Sequence, residues 1–329
     1  MLLGFGGGLM TLTKSYEYLR DSGRDVERFD PWKQDLSDFD LIHHFGFHYS
    51  NWEWFKTIKR FNKRLAVTTM YWIPEDPFTE RLYRKLLSRI PYLKLPPVQT
   101  RQMLEMADLI LPNSEGEKQL LINLFGCSEE KMHIVPCGVD DRFGHSSAEP
   151  FEQKFGISNF LLCVGRFDSA QKNQLGMVRT LGETGLPMVF IGGPADGQEG
   201  YYEQCRREAP EGTLFIEFLD PADPILASAL VAANTLVIPS YFEYPCMVAM
   251  EALLAATKVA ITRRGTTEEY FREYAAYFDP HSPADIRRVV LETFQAEIHP
   301  EAQRYARRVF RWDHVGHLLD KAYTAAGFA

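Results

Sequence analysis

Arg166 and Lys172 are six residues apart in the run Gly165-Arg166-Phe167-Asp168-Ser169-Ala170-Gln171-Lys172-Asn173, which follows an apolar strand candidate at Phe160–Val164. A guanidinium offers a planar fork and an ammonium a point charge. At the C-terminal end of a strand, the two could neutralise the charge that builds on a diphosphate as its bond to carbon breaks. A second corner, Tyr241-Phe242-Glu243-Tyr244-Pro245-Cys246-Met247-Val248-Ala249-Met250-Glu251, carries two carboxylates. Pro245 suits a first helical position. The N–H groups of Cys246, Met247 and Val248 would then be free donors at the positive end of a helix dipole, where anions bind. Glu243 and Glu251 would repel a phosphate, so they should face hydroxyl groups, from which a carboxylate accepts strong hydrogen bonds. The same residues also suit a plain strand–turn–helix corner with two solvated acids and two loop cations.

Other residues could bear chemistry. Gly6, Gly7 and Gly8 stand between an apolar start, Met1–Phe5, and a helix at Leu9–Leu19. They allow a backbone to approach a ligand, or a helix to pack tightly on a strand. The pattern is not GxGxxG, which speaks against a nicotinamide or flavin site. Asp38-Phe39-Asp40 is a DxD, the manganese-binding pattern of some sugar-transferring enzymes, but it precedes a strand and reads as turn chemistry. His43, His44 and His48 follow it, near a strand's C-terminal end, where open α/β sheets bind ligands.

These groups need elements to hold them. Apolar strands are read at Leu41–His44, Arg64–Thr69, Asp108–Leu111 and Met132–Val135. They recur at Phe160–Val164, Met188–Ile191, Leu214–Glu217, Thr235–Ile238 and Val259–Thr262. Helical stretches alternate with them, including Glu115–Phe125, Tyr201–Glu208, Pro224–Ala233, Pro245–Ala256, Thr267–Tyr274, Ala284–Gln295 and Ala302–Ala325. Such alternation implies parallel sheets covered on both faces. The polar stretch Asp140–Gly156 reads as a domain boundary. The expected division is 1–150, 151–310 and a closing helix at 311–329.

The 329 residues suffice for two domains, and 45% apolar with 24% charged residues is usual for a globular protein. Five scattered cysteines without CxxC spacing point to a reducing, cytoplasmic setting and no structural zinc. The N-terminus lacks a basic n-region, so it reads as a strand and not a signal peptide. A net charge of −8 argues against nucleic acid. Between Lys56 and Arg101, however, eleven basic residues face only Glu75, Asp76 and Glu80. Within this span, Thr79–Ile90 shows Leu82, Tyr83, Leu86, Leu87 and Ile90 on one helical face and Arg81, Arg84, Lys85 and Arg89 on the other. That pattern fits a surface helix packed on its own domain, or one that rests on an anionic membrane.

Three runs, VGRFDSAQKN, LVIPSYFEYPCMVAMEALLA and TRRGTTEEY, together resemble the GT-B retaining glycosyltransferases of family 4. Glu243 to Glu251 matches their Glu-x7-Glu motif. PNSEGEKQLLINLFGCSEEKMHIVPCGVD and FRWDHVGHLLDKAY are similar to segments that close their two domains. The resemblance implies two Rossmann-like domains facing across a cleft, the N-terminal one binding an acceptor and the C-terminal one a nucleotide sugar. The last helix would cross back to the first domain. It implies a nucleotide diphosphate sugar donor (UDP or GDP), no metal or other cofactor, and a saccharide or lipid-linked acceptor in bacterial surface polysaccharide or glycolipid synthesis. Arg166 and Lys172 would hold the diphosphate with the N–H groups of Cys246, Met247 and Val248. Glu251 would accept from the ribose and Glu243 from the donor sugar. Gly7 and Gly8 would approach the phosphates, and Gly192, Phe218 and Leu219 would lie by the base. His43, His44 and Tyr71 are candidates for sugar or acceptor contact. Work at the inner face of the membrane, through residues 79–90, is expected. A sugar-nucleotide epimerase, or a non-catalytic relative that binds a nucleotide sugar, would share the architecture. Three positions depart from the family pattern. Tyr244-Pro245 stands for Phe-Gly, Arg263-Arg264 precedes Gly265 where small residues are usual, and Thr69-Met70-Tyr71 lacks the family's histidine.

Overall fold

The computed structural model describes residues 7–73, 78–88, 90, 95–217, 219 and 223–328. The expected strand Met1–Phe5 and the candidate Phe218 lie outside them. The chain divides into two compact units, Met1–Gly138 with Trp312–Ala329, and Val139–Arg311.

In the first unit the order is α1 (Gly7–Asp21), β1 (Leu41–Phe45), α2 (Trp52–Arg60), β2 (Arg64–Thr68), α3 (Phe78–Leu87), α4 (Pro96–Met106), β3 (Leu109–Leu111) and α5 (Glu115–Phe125). The three strands pair in parallel in the order β1-β2-β3. Their side chains alternate between two cores. On one face Leu65, Val67 and Ile110 pack with Phe55, Ile58, Met103 and Leu121 from α2, α4 and α5. On the other, Ala66, Leu109 and Leu111 pack with Leu19 of α1 and with Val315, Leu319 and Tyr323 near the C-terminus. Both faces are therefore covered, as a parallel sheet requires. The ends of α5 are legible in its sequence: Ser114 Oγ accepts from Glu117 N, and Gly126 takes the left-handed C-terminal position.

The second unit runs α6 (Glu149–Phe155), β4 (Leu161–Val164), α7 (Gln174–Leu181), β5 (Met188–Ile191), α8 (Glu199–Glu208), β6 (Leu214–Ile216), α9 (Pro224–Ala232), β7 (Thr235–Ile238), α10 (Met247–Leu254), β8 (Lys258–Thr262), α11 (Thr267–Phe271), β9 (Ala276–Phe278), α12 (Pro283–Gln295) and α13 (Ala302–Phe310). All six strands are parallel, in the order β6-β5-β4-β7-β8-β9. Counted within the unit this is 3-2-1-4-5-6, a doubly wound sheet whose connections reverse direction between β4 and β7. The final helix, α14 (Trp312–Ala325), belongs to the first unit and packs on α1.

Several expectations change. Met132–Val135 is not a strand among the described residues; it lies beside β3 through His133 N to Ile110 O and Val135 N to Pro112 O, with one isolated bridge. Asp140–Gly156, expected as a linker, is folded as a 3-10 turn at Asp141–Gly144 and then α6, with Phe151 fully buried. Ala302–Ala325 breaks into α13 and α14 because Arg311 is extended, and Val139 N takes Phe310 O at 2.7 Å. The two ends of the second unit thus run side by side. The edge strand β9 and the helices α2 and α4 had no counterpart in the sequence reading.

Candidate functional site

The reversal between β4 and β7 is where open α/β sheets bind ligands, just beyond the strands' C-terminal ends. After β4 the chain turns through Gly165–Asn173; after β7 it turns through Pro239–Cys246. Asn173, held left-handed at φ 51, ties them: its Nδ2 donates to Pro239 O at 3.1 Å and to Pro280 O at 3.4 Å. Tyr241 N donates to Gln171 O at 2.8 Å. These bonds bring Lys172 against Glu243, and Nζ lies 2.6 Å from Oε1. Ser240 Oγ donates to the same oxygen, also at 2.6 Å.

Glu243 is nearly dry, at 6% side-chain exposure against 24% for Lys172. Burial alone would pull the lysine's pKa down, but the adjacent Glu243 carboxylate outweighs it, and the ammonium is held above its ordinary range. Glu243 is fixed from behind by the turn after β8. Glu243 N donates to Arg264 O at 3.2 Å and Thr266 N to Glu243 O at 3.1 Å. Gly265, at φ 99, packs so closely that a Cβ would stand 1.9 Å from Glu243 O. The departure Arg263-Arg264 is accommodated because this contact uses backbone alone. The side chains turn away, Arg263 to Tyr277 O at 3.3 Å and Arg264 to Asp279 at 3.7 Å.

A cavity of about 20 Å³ adjoins the pair, lined among others by Gln174, Ser240, Cys163, Cys246 and Val248. Burial pushes the Cys163 thiol up to about 12 and Cys246 well above its usual value, so neither is a thiolate near neutrality. Pro245 does not open the helix, as the sequence suggested. Cys246 is extended at φ −95 and ψ 92 and serves as N-cap, so α10 starts at Met247. Met247 and Val248 therefore supply its leading N–H groups.

The other candidates separate. Arg166 shares the turn with Lys172, and its carbonyl accepts from Gln174 Nε2 at 2.9 Å, but its guanidinium is exposed. Gly192, at φ 140, packs under that turn, where a Cβ would meet Gly165 O at 2.3 Å. Leu219 is half-buried. Glu251 stands on α10 beside Arg142 and Asp140. Burial pushes its carboxyl up to about 7; Arg142 works against that rise and Asp140 with it.

In the first unit, Gly7 and Gly8 are the first residues of α1, not a loop before it. His43 is a structural residue. Its Nδ1 is 2.6 Å from Tyr323 Oη and its Nε2 2.9 Å from Thr68 Oγ1, which leaves neither nitrogen for a sugar. Burial drives its pKa down to about 3. His44 is likewise lowered by burial, to about 4, with Nε2 at 2.9 Å from Asn51. Tyr71 follows Met70, which is left-handed at φ 48. That turn is gathered by the buried Glu117 carboxylate, which accepts from Thr69 Oγ1, Tyr71 N and Asn113 N. Asp35 and not the DxD pair does the local capping, accepting from Ser37 N.

Sequence reasoning missed Ser240, Asn173 and Gln174. Ser240 lies three residues before Glu243, and the turn between them brings its hydroxyl onto the carboxylate. Asn173 and Gln174 gave no sign in the sequence.

Residues 11–143 match the family model described as Glycosyltransferase Family 4, and residues 147–310 that described as Glycosyl transferases group 1. A D-inositol 3-phosphate glycosyltransferase of Geodermatophilus obscurus is 26% identical over 243 residues, covering 68% of this chain and 54% of that protein. The chain spans about half the length of the curated relatives it matches. Among solved structures, sucrose-phosphate synthase from Thermosynechococcus elongatus superposes with a TM-score of 0.75 at 17% identity, over 97% of this chain and 93% of that one. Anabaena HepE in complex with UDP and glucose gives 0.69 at 15%, over 88% and 79%. At such identities the likeness speaks for the fold, which is GT-B, two parallel-sheet α/β units.

Proposed function

Because this chain belongs to the family 4, group 1 glycosyltransferases, we propose that it moves a sugar from a nucleotide diphosphate sugar to an acceptor hydroxyl with retention of configuration. One observation carries the reading. An ammonium and a carboxylate, 2.6 Å apart, stand together at the reversal point of the second unit's sheet.

In this reading the bond from the sugar's anomeric carbon to the phosphate oxygen breaks, and its electron pair leaves with the diphosphate. Lys172, Arg166 and the Met247–Val248 end of α10 stabilise that charge. The acceptor oxygen bonds to the anomeric carbon from the same face, and its proton passes to the departing phosphate oxygen. No protein nucleophile and no metal are required. Glu243 Oε1 is occupied by Ser240 and Lys172, so its other oxygen accepts from the donor sugar. Glu251 accepts from the ribose, with Gly192 and Leu219 by the base.

A UDP- or GDP-sugar is the donor; the UDP and glucose in HepE support trying UDP-glucose first. The acceptor is a saccharide or a lipid-linked saccharide. α3 supports work at the cytoplasmic membrane face: Leu82, Tyr83, Leu86 and Ile90 are exposed beside Arg84 and Lys85. Among the described residues no helix is long and apolar enough to cross a membrane.

Turnover of a UDP- and GDP-sugar panel, with chelator present, tests the proposal. Lys172→Ala should cut turnover by about 10²-fold or more. Undiminished turnover in Lys172→Ala and Glu243→Ala would overturn it, and an epimer formed from donor alone would replace it.

A further inference from the structure

Gln174 opens α7, two residues after Lys172, and is only 1% exposed. Its Nε2 donates to Arg166 O at 2.9 Å. That bond sets the amide's orientation, because a flip would bring two oxygens together. Oε1 is then left without a hydrogen-bond partner in the protein. A buried carbonyl oxygen in that state is unfavourable, and native structures rarely leave one so.

The same side chain lines the cavity that adjoins Lys172, Ser240 and Glu243. At about 20 Å³ it is too small for a sugar or a phosphate. It suits one water, which needs about 10–15 Å³ and two to four polar partners. Lys172 has three N–H donors, and Glu243 Oε1 takes one of them. The other titratable groups facing the ammonium, Cys163 and Cys246, are buried thiols. A water between Nζ and Oε1 would accept from the first and donate to the second.

We propose that Gln174 is a positioning residue: through one buried water it holds the Lys172 ammonium, and through Nε2 it holds the Arg166 turn. The proposal rests on the reading of Lys172 as a diphosphate-binding cation. One amide then sets both cations of the site, the first through its backbone and the second through solvent.

The test is a double-mutant cycle on nucleotide affinity, measured by calorimetry with UDP, GDP and UMP. Gln174→Met, alone, should weaken whichever diphosphate binds by about fivefold, leave UMP unchanged, and cost clearly less in a Lys172→Ala background, where only its hold on the Arg166 turn is left to lose. Equal losses in both backgrounds, or equal losses for UMP and UDP, would mean that Gln174 is merely structural, and would overturn the proposal. If Lys172→Ala itself binds UDP and GDP as the parent does, the reading beneath it fails as well. A high-resolution crystal structure of the parent protein decides independently of how the variants fold. A water within hydrogen-bond distance of both Gln174 Oε1 and Lys172 Nζ supports the proposal, and a dry cavity overturns it.

Discussion

Lys172 Nζ and Glu243 Oε1 are 2.6 Å apart although 71 residues separate them in the chain. The contact joins the turns that leave β4 and β7, the two strands between which the sheet reverses direction. Winding a six-stranded sheet outward from β4 in both directions makes those turns neighbours. The pair is thus a product of topology, and Asn173 and Ser240 supply its fine adjustment.

The two partners should respond unequally to removal. Glu243 is the drier of the two, so it suffers more when left charged and alone. Lys172→Ala should lower the melting temperature more than Glu243→Gln, which replaces the carboxylate with a neutral amide. Both should lose turnover. The opposite stability order in differential scanning calorimetry would show that Ser240, and not the lysine, is the main support of the carboxylate.

Gly265 should tolerate nothing larger. Its φ of 99 is strained for any L side chain, and an added Cβ would meet Glu243 O at 1.9 Å. Gly265→Ala should therefore cost about 2–4 kcal/mol, strain and overpacking together, and displace Glu243. Equilibrium urea unfolding measures the first effect and turnover the second. A variant as stable and as active as the parent would mean that the β8 turn does not fix the carboxylate.

Much of the second unit was legible in the sequence because its strands are short, wholly apolar and bounded by turn residues. Met188–Ile191 and Thr235–Ile238 coincide with β5 and β7. Lys172, Glu243, Cys246 and Val248 were singled out by residue type and spacing, and one cavity gathers them. What remained hidden has physical reasons. β9 is three residues at the sheet edge, too short for a period to register. α2 anchors chiefly through Phe55 and Ile58 within a basic stretch. A proline before Cys246 favours a helix start there, whereas the residue's extended backbone is set by the turn it closes. His43 looked reactive by position. Only coordinates reveal Tyr323, 280 residues away, bonded to it.

Glu251 should impose a pH dependence. Its carboxyl is held at about 7 by burial, against about 4.3 in an unfolded chain. The folded state therefore binds the proton more tightly, and stability falls as pH rises from about 4.3 to 7. The contribution is complete below that window and lost above it. Its full size is about 3–4 kcal/mol, of which about 2–3 kcal/mol falls between pH 5 and pH 8, and Glu251→Gln should flatten that difference in urea melts taken at the two pH values. Nucleotide binding should run the other way, since only the carboxylate accepts from two ribose hydroxyls at once. Affinity should climb through pH 7 in the parent and stay level in the variant. A parent whose affinity ignores pH would remove Glu251 from the ribose.

α3 packs on α4 and α5, yet leaves several large apolar side chains outward. Leu82, Tyr83, Leu86 and Ile90 are 44, 54, 55 and 41% exposed, while Ser88 is buried and Arg84 reaches inward to Tyr71 Oη at 3.3 Å. Leu82 and Leu86 are one helical turn apart, so they present a common surface. Each such side chain transferred into lipid contributes about 1.5–3 kcal/mol, and each nearby cation about 1 kcal/mol on an anionic surface. Together these suffice for reversible attachment but not for permanent insertion. The parent protein should float with vesicles rich in anionic lipid and sediment with neutral ones. A Leu82→Ser, Tyr83→Ser, Leu86→Ser triple variant should not float, yet should keep turnover on a water-soluble acceptor, because none of the three belongs to the proposed site. Flotation unchanged in the triple variant would move the attachment elsewhere. Loss of turnover alongside flotation would mean instead that the helix shapes the acceptor site.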